Sequence, residues 1–460
     1  MMKRLFGTDG IRGEAGRFPL DAETMRAAGG SLARHLAAQN GRAARILLGR
    51  DTRESGAWIE GAFASGARES GAVCHSAGVI TTPGVAFLAR TLPTDAGVVV
   101  SASHNPYHDN GIKIFAADGR KLDDATERLI EADIYARVES SGAGQTEAEA
   151  SAFDEEDAER ASEPERLRAR YLDYLAGEVA KGLSLDGLKV AVDCANGAAS
   201  ELAPALLERL GARVSAINGK PDGRNINLDC GSLHMEKLQE TVVAERAAFG
   251  VAFDGDADRA LFVDSRGQFV DGDATLWVLA RRMKERGALA GDSVVATVMS
   301  NLGLELALRS EGIELRRTDV GDKYVLEELL RTGATLGGEQ SGHIIFPRES
   351  LAGDGLITTI HLLRALRDTG RELHELLEGF VRYPQVLVNV RVREKIPFEE
   401  VEEVARRARE VEEELGAEGR LLLRYSGTEP LARVMMEGRQ QEEIERLAND
   451  LAGVIKQRLG

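Results

Sequence analysis

Cysteine is scarce in this chain, and long apolar runs are absent from it. The three cysteines, Cys74, Cys194 and Cys230, lie far apart without a CxxC pair, which indicates neither a disulfide framework nor a cysteine zinc site. Nowhere do about 18 apolar residues follow one another, as a membrane-spanning helix requires. No signal peptide is indicated either, because charged residues near the amino end precede any apolar stretch. We therefore expect a cytoplasmic protein with no membrane partner.

Positive charge is also in deficit. The 58 lysines and arginines are outnumbered by 75 aspartates and glutamates, which gives a formal net charge of −17. Such a balance repels nucleic acid and anionic lipid, so we expect no nucleic-acid partner. An anionic small molecule would have to be bound by specific loops, and a loop rich in basic and hydroxyl residues would be a candidate for that.

The composition of the 460 residues is that of a globular protein with several cores. Hydrophobic residues make up 43% and charged residues 29%, and the length suggests about three or four domains. Short apolar runs alternate with amphipathic stretches, which favours α/β layers with mixed or parallel sheets. Residues 139–165 hold almost no large apolar side chain, so we expect a solvated connection there.

Four domains are the economical interpretation, because new blocks open near residues 188, 292 and 385. We predict three similar α/β mixed-sheet domains around a cleft, followed by a smaller α+β carboxy-terminal domain. The expected domains are residues 1–160, 161–262, 263–378 and 379–460. In the last one, Pro397 precedes an apolar stripe over residues 398–415, which predicts an amphipathic helix that begins at the proline.

A polar loop with a candidate nucleophile follows the apolar run at residues 98–100. Ser103 is followed by His104, and Lys113 lies on the next apolar segment, so a hydroxyl, an imidazole and an ammonium group could meet at a cleft. An ordinary turn, in which Ser and Asn bond the local backbone, is the competing interpretation. No Gly-x-Ser-x-Gly elbow surrounds Ser103, which disfavours an acyl-transfer hydrolase.

A second polar loop carries three carboxylates. Asp254, Asp256 and Asp258 follow a second apolar run, and such hard oxygen ligands suit Mg²⁺. An EF-hand is disfavoured, because its glycine and glutamate positions are here Arg259 and Ser265. A solvated acidic turn remains possible, as does a phosphatase in which Asp254 is the nucleophile and Asp256 the acid.

Three further loops could bind a phosphorylated sugar. Residues 337–343 place Glu, Gln, Ser and His between glycines that allow close backbone approach. Residues 424–430 combine an arginine fork with Ser and Thr hydroxyls, with Arg433 nearby, as an anion site would. The glycine-rich residues 6–13 supply Arg12 and predict one more loop. An ordinary tight loop with polar tips is the alternative for residues 337–343, and a capping turn is the alternative for residues 424–430.

Taken in order, these motifs resemble those of the α-D-phosphohexomutase family. The matching segments are SASHNP at residues 101–106, DGDADR at 254–259, GEQSGH at 338–343 and RYSGTEP at 424–430. The segment LFGTDGIRG at residues 5–13 and Gln340 favour the branch that acts on glucosamine phosphates. One departure is Lys323, where the family usually has arginine, so a point charge replaces a planar fork.

The resemblance implies a reversible conversion of glucosamine 6-phosphate to glucosamine 1-phosphate through a phosphorylated Ser103. A 1,6-bisphosphate of glucosamine or glucose would serve as intermediate and activator, and the product would feed UDP-N-acetylglucosamine and peptidoglycan precursor synthesis. The implied catalytic residues are Ser103, Lys113, His104 and Arg12, and the implied Mg²⁺ ligands are Ser103, Asp254, Asp256 and Asp258. The implied substrate-binding residues are Arg259, Glu339, Ser341, His343, Arg424, Ser426, Gly427, Thr428 and Arg433.

Other activities remain open at the level of sequence. The alternatives are a phosphoglucomutase or phosphomannomutase, an aspartate-nucleophile phosphatase, and a divalent-cation binding module without chemistry. The expected partner is a small phosphosugar, and the chain could form a homodimer. We also expect the carboxy-terminal domain to close over the bound sugar, with a hinge between about Leu376 and Val386.

Overall fold

The computed structural model describes residues 4–7, 9–141, 162–426 and 429–460. Most of the connection expected over residues 139–165 lies outside these residues. The described residues form four sheets in chain order, each packed with helices. Three α/β units followed by a smaller α+β unit were predicted, and this fold class is confirmed.

The first domain is built on a six-stranded mixed sheet with the strand order β1-β2-β6-β5-β3-β4. Its strands are β1 Phe6–Gly7, β2 Gly10–Glu14, β3 Arg45–Arg50, β4 Val73–Val79, β5 Ala96–Val100 and β6 Asp109–Ala116. Its helices are α1 Ala22–Asn40, α2 Gly56–Glu69, α3 Thr82–Thr91 and α4 Asp124–Ser141. β3 pairs in parallel with β4 and β5. Every residue of β5 is buried, as expected for a central strand that helices cover on both faces.

The second domain has a five-stranded sheet with the order β11-β10-β9-β7-β8. Its strands are β7 Lys189–Asp193, β8 Arg213–Ile217, β9 Phe249–Phe253, β10 Ala260–Asp264 and β11 Phe269–Val270, and its helices are α5 Glu163–Tyr174, α6 Ala199–Arg209 and α7 Glu236–Glu245. The expected end of this domain at residue 262 falls inside β10. The sheet continues to Val270 because β10 and β11 form an antiparallel hairpin.

The third domain has a four-stranded sheet with the order β13-β12-β14-β15. Its strands are β12 Ser293–Thr297, β13 Glu314–Thr318, β14 Gly337–Gly338 and β15 Ile344–Ile345. Its helices are α8 Gly272–Glu285, α9 Leu302–Ser310, α10 Asp322–Thr332, α11 Gly355–Thr369 and α12 Leu373–Leu376. The two-residue strands β14 and β15 flank the loop that the sequence assigned to sugar binding.

The carboxy-terminal domain has a three-stranded antiparallel sheet with the order β16-β18-β17. Its elements are β16 Gln385–Arg391, α13 Glu402–Leu415, β17 Arg420–Tyr425, β18 Leu431–Glu437 and α14 Gln441–Leu459. The helix predicted from Pro397 begins later than expected, because a short 3₁₀ turn at Phe398–Glu400 precedes it. The apolar stripe is nevertheless correct, since Val404 and Val411 are buried.

The cores show which domains act as one body. A single apolar cluster contains Leu47 of the first domain, Phe253 of the second and Trp277 of the third. The carboxy-terminal domain has a separate cluster that contains Val404, Val434 and Leu451. The first three domains therefore share one hydrophobic core, whereas the fourth domain has a core of its own.

A search of the described residues finds no helix that combines the length and the apolar character needed to cross a membrane.

Candidate active site

Two strand ends from different domains meet at the centre of the molecule. β5 ends at Val100 and β9 ends at Phe253, and polar loops follow both strands. The hydroxyl of Ser103 donates a hydrogen bond of 2.5 Å to Asp254 Oδ2. The expectation that these loops lie at strand ends is confirmed, and the tertiary fold brings the candidate nucleophile to the candidate metal loop.

The three aspartates form one compact, buried cluster. Each of Asp254, Asp256 and Asp258 offers a carboxylate oxygen, and these oxygens lie within 4.8 Å of one another. Burial and the neighbouring carboxylates raise the pKa of Asp254 well above its ordinary value, which shows how unfavourable the cluster is without a cation. Asp256 Oδ1 and Asp258 Oδ1 are buried without a hydrogen-bond partner. The cluster could therefore hold a divalent metal ion, whose ligands these free oxygens would be.

Lys113 occupies one side of this cluster. Its ammonium group lies 2.9 Å from Asp256, 3.1 Å from Asp258 and 3.1 Å from Asp9. Burial acts to lower the pKa of Lys113, but the three carboxylates outweigh burial and raise the pKa well above its ordinary value. The ammonium group is thus held cationic beside the aspartates, where it can donate a proton or stabilise negative charge.

His104 lies on the other side of the serine. Its Nδ1 atom is 3.4 Å from Ser103 Oγ and accepts a hydrogen bond of 3.3 Å from Arg259. Burial and the nearby guanidinium groups lower the pKa of His104 to about 4. The imidazole is therefore neutral near pH 7 and can accept a proton.

A cleft of about 450 Å³ opens next to these residues. Its lining includes Arg12 and Arg259, and the Nε atoms of both are buried without a hydrogen-bond partner. Two unpaired guanidinium donors at one cleft favour an anionic ligand. Arg12 does not lie on the predicted loop, because it belongs to β2, which pairs in antiparallel fashion with β1.

Two of the three sugar-loop residues line the same cleft. Glu339 and His343 belong to its lining, and Ser341 Oγ lies 3.4 Å from Glu339. His343 is flanked by Asp258 at 3.7 Å and Asp322 at 3.6 Å. Burial acts to lower the pKa of His343, and these carboxylates raise it to about 9. His343 therefore lies between the aspartate cluster and the cleft.

The phosphate loop of the carboxy-terminal domain lies at the end of β17. Arg424 pairs with Arg433 directly across from it on β18, and Arg433 lies 3.4 Å from the hydroxyl of Ser426. Burial and Arg433 lower the pKa of Arg424. Like charges opposite each other in a sheet are unfavourable, so an anion between them would be stabilising. Gly427 and Thr428, which the sequence also assigned to this site, lie outside the described residues.

The structure adds polar residues that the sequence analysis missed. Asp9 joins Lys113 to Lys121, which in turn pairs with Asp322 at 2.6 Å. Thr82 donates a hydrogen bond of 2.6 Å to Asp256. Thr82, Lys121 and Asp322 stand in no motif that points to chemistry, and only domain packing brings them close to Asp9 and Asp256.

Lys323, the departure from the family pattern, lies at a domain contact. Its ammonium group is 2.5 Å from Asp124 of the first domain. Both side chains are more than a third exposed, so the pair contributes little to stability. The pairing directs the lysine toward α4.

Models of known protein families match the chain in four consecutive parts. The α/β/α domains I, II and III of phosphoglucomutase/phosphomannomutase match residues 3–140, 169–267 and 271–383. The C-terminal domain of the same family matches residues 387–454. The matches follow the order of the four sheets and cover most of the chain.

Whole-length relatives are similar to this chain. Proteins named phosphoglucosamine mutase are 52% identical in Solibacter usitatus, covering 100% of both chains, and 46% identical in Syntrophotalea carbinolica, covering 100% of this chain and 99% of the relative. The protein of that name from Koribacter versatilis is 46% identical and covers 100% of this chain and 98% of the relative.

Solved structures share the fold over nearly the entire length. A phosphoglucomutase/phosphomannomutase family protein from Burkholderia thailandensis has a TM-score of 0.78 at 26% identity, covering 99% of this chain and 98% of that one. An N-acetylphosphoglucosamine mutase from Aspergillus fumigatus, crystallised with GlcNAc-6P and magnesium, has a TM-score of 0.61 at 18% identity, covering 98% and 95%. The second likeness is one of fold alone.

Proposed function

This chain belongs to the phosphoglucomutase/phosphomannomutase family, and on that premise we propose that it converts glucosamine 6-phosphate reversibly to glucosamine 1-phosphate. The observation that carries this proposal is the 2.5 Å hydrogen bond from Ser103 to Asp254, at a buried aspartate cluster beside a cleft where the Nε atoms of Arg12 and Arg259 have no hydrogen-bond partner. The choice of glucosamine rests on whole-length relatives, at up to 52% identity, that are named phosphoglucosamine mutase.

The proposed reaction has two phosphoryl transfers. In the first, the bond between phosphorus and Ser103 Oγ breaks, and a bond from phosphorus to O1 of glucosamine 6-phosphate forms. The proton of the O1 hydroxyl leaves with a base, and Ser103 Oγ regains a proton. Glucosamine 1,6-bisphosphate then turns over in the cleft, and its 6-phosphoryl group passes to Ser103 by the reverse exchange, leaving glucosamine 1-phosphate.

The aspartate cluster, with its bound cation, and Lys113 would stabilise the negative charge on the transferring phosphoryl group. Asp254, Asp256 and Asp258, with an oxygen on Ser103, are the proposed Mg²⁺ ligands. When Mg²⁺ is bound, its charge offsets the negative charge on the transferring phosphoryl oxygens, which is the main task in this chemistry. Lys113, held cationic by its carboxylate partners, would donate a proton to the departing serine oxygen.

Proton removal from the sugar hydroxyl requires a group that is unprotonated at working pH. His104 has a lowered pKa and lies 3.4 Å from Ser103 Oγ, so it is the better placed of the two candidates for the base, while Lys113 is the candidate acid. General acid–base catalysis of this kind contributes ~10²–10⁴-fold. Arg12 and Arg259, whose Nε atoms are free, would hold the phosphoryl oxygens in the cleft.

The remaining residues would bind the part of the substrate that does not react. Glu339 and Ser341 would hold sugar hydroxyls, and His343 would support the same loop. Arg424, Ser426 and Arg433, together with Gly427 and Thr428, would bind the phosphate that is not being transferred. The proposed contacts serve both sugar orientations, because pseudo-symmetric hydroxyls can exchange places when the bisphosphate turns over.

The biological setting follows from the same proposal. We infer a cytoplasmic enzyme, which could be a homodimer, that works in the synthesis of UDP-N-acetylglucosamine and peptidoglycan precursors. Glucosamine 1,6-bisphosphate, or glucose 1,6-bisphosphate, would start the cycle by phosphorylating Ser103. Glucose and mannose phosphates are the alternative substrates within the family.

A substrate panel tests the proposal. The purified enzyme is incubated with Mg²⁺, a catalytic amount of hexose 1,6-bisphosphate and each of glucosamine, glucose and mannose 6-phosphate, and then with the three 1-phosphates. We expect the highest kcat/KM for glucosamine phosphates in both directions and no release of inorganic phosphate. Stoichiometric phosphate release would indicate a phosphatase, and no conversion of any hexose phosphate would indicate a binding module.

A further inference from the structure

A buried arginine of the first domain lies directly behind the serine loop. The side chain of Arg53 is 0% exposed and pairs with the equally buried Asp51 at 2.9 Å. Arg53 lies at the carboxyl end of β3, next to the strand that leads into Ser103. A fully buried guanidinium group has to have its donors satisfied within the protein, so its hydrogen-bond partners define its role.

Those partners are the backbone of the serine loop. Arg53 donates hydrogen bonds to the carbonyl oxygens of Ser103 at 3.0 Å, Asn105 at 2.9 Å and Asp109 at 3.0 Å, and also to that of Pro106. The planar fork thus binds four carbonyl groups between Ser103 and Asp109, which a lysine, with a point charge and three donors, does not reproduce. One side chain therefore holds the backbone of the loop at four points.

Asp51 extends the same network to the amide of the serine. It accepts a hydrogen bond of 2.6 Å from the hydroxyl of Ser101, and that hydroxyl accepts one of 3.0 Å from the N–H of Ser103. Both the N–H and the C=O of Ser103 are therefore held through the Asp51–Arg53 pair. This matters because Ser103 has φ of 52°, a left-handed conformation that costs energy and persists only where the surroundings impose it.

The second domain contributes a contact to the same carbonyl groups. The side-chain amide of Asn227 donates hydrogen bonds of 2.8 Å to Ser103 O and 3.0 Å to Asn105 O. Gly255 of the aspartate loop packs so closely that a Cβ atom there would lie 2.5 Å from Ser103 O. The serine loop is consequently clamped between the domain that carries the nucleophile and the domain that carries the aspartates.

We infer that Arg53 and Asn227 are positioning residues for phosphoryl transfer. They hold the backbone of Ser103 from two domains, so that Oγ keeps its place against Asp254 while the sugar turns over between the two transfers. The inference rests on the proposed function. Neither residue lines the cleft in which the sugar would bind, so their loss is expected to lower kcat and leave KM for the phosphosugar unchanged.

Asn227 offers the sharper test, because its side chain is only half-buried. Its φ of 57° is tolerated by Asn, Asp and Gly. Asn227→Gly removes the two hydrogen bonds without straining the backbone, and Asn227→Asp places an acceptor opposite two carbonyl oxygens. Asp229→Gly is the matched control, since Asp229 has φ of 50° on the same segment and its side chain is exposed.

We expect kcat to fall about tenfold in Asn227→Gly and about 10²-fold in Asn227→Asp, with KM within twofold of wild type. Arg53→Lys, which keeps the charge opposite Asp51, should also lose about 10²-fold in kcat. Asp229→Gly should match the wild type. Amide hydrogen exchange at residues 101–105 should accelerate in both Asn227 variants, while melting temperatures stay close to that of the wild type.

Hydrogen exchange distinguishes a failure of this inference from a failure of the proposed function, because exchange is measured without any substrate. If the wild type converts no glucosamine phosphate, the proposed function fails, and exchange alone decides whether Asn227 holds the loop. Wild-type kcat and unchanged exchange in Asn227→Asp would overturn the inference. A kcat loss that merely follows a loss of folded protein would overturn it as well, since Asn227 would then act on stability alone.

Discussion

Arg424 and Arg433 lie directly opposite each other on the two neighbouring strands β17 and β18. The side chain of Arg424 makes a weak hydrogen bond, in which its guanidinium group lies 3.8 Å from the sulfur of Met299. This contact does not offset the repulsion from Arg433. Opposed like charges on one sheet face are unfavourable without an anion between them. A phosphate bound between the two arginines would relieve their repulsion. We therefore expect phosphate binding to move the carboxy-terminal domain toward the cleft.

Replacing Arg424 by alanine should weaken binding of the phosphate that is not transferred. We expect KM for both phosphosugars to rise roughly 10- to 100-fold, as for the loss of a charge-assisted contact, and more bisphosphate to escape to solvent during turnover. Steady-state kinetics and release of labelled bisphosphate measure the two effects. Arg391→Ala, an exposed arginine on the same sheet, is the control. Unchanged KM and retained bisphosphate would make Arg424 a structural residue.

The carboxy-terminal domain should move as a unit when substrate binds. Its core is separate from the cluster that joins the other three domains, and the segment between α12 and β16 has no regular structure, as a hinge requires. Small-angle scattering should show a smaller radius of gyration with saturating glucosamine 1-phosphate than without it. Identical scattering curves in both states would count against closure.

The covalent phosphate should be on Ser103. A phosphoserine survives hydroxylamine, whereas an acyl phosphate on Asp254 does not. We expect a hydroxylamine-stable phosphoprotein and the loss of turnover in Ser103→Ala. The test is to treat phosphate-labelled enzyme with hydroxylamine at neutral pH and to measure the label that stays on the protein. Loss of the label, or full turnover by Ser103→Ala, would identify the aspartate as the nucleophile.

Asp256→Asn should abolish turnover that depends on Mg²⁺. The substitution removes one charge from a buried cluster but preserves the side-chain shape, so circular dichroism should remain that of the wild type. The loss should be at least ~10²-fold, since even indirect changes at metal sites cost 10–100-fold. Asp229→Asn, at an exposed position, controls for the loss of a surface charge. Wild-type rates at limiting Mg²⁺ would show that the metal binds elsewhere.

Asp354 should make the stability of the protein depend on pH. Burial raises the pKa of this carboxyl group from 3.8 to about 6, although Tyr171 donates to it a hydrogen bond of 2.6 Å. Because the folded pKa is the higher one, the stabilising contribution is complete below about pH 4 and is lost as the pH rises through 6. The difference corresponds to about 3 kcal/mol.

The comparison with Asp354→Asn isolates this effect. Asparagine stays neutral and can still accept the hydrogen bonds from Leu356 N and Ile357 N that begin α11. Between pH 4 and 7 the wild type should therefore lose about 2 kcal/mol more unfolding free energy than the variant. Urea unfolding of both proteins over this range measures it. Parallel stability curves would contradict the shifted pKa.

The sequence by itself determined the elements and the chemistry that they carry. Apolar runs that end in polar loops predicted β5 and β9 and placed Ser103 and the three aspartates at strand ends, because strand periodicity and turn residues are local properties. Composition and block spacing predicted the four-domain α/β architecture. Local signals were less reliable at element boundaries, where the helix expected from Pro397 begins at Glu402 and the loop with Arg12 is a hairpin.

Only the tertiary structure decided which polar groups meet. The ion pairs of Asp9 with Lys113 and Lys121 and the clamp that Arg53 and Asn227 form on the serine loop join residues far apart in sequence. Sequence periodicity does not predict such pairs, because the partner of a buried charge depends on which groups the packing of the domains places next to it. The sequence therefore specifies the reacting groups, and the packing of the domains fixes their protonation and their positions.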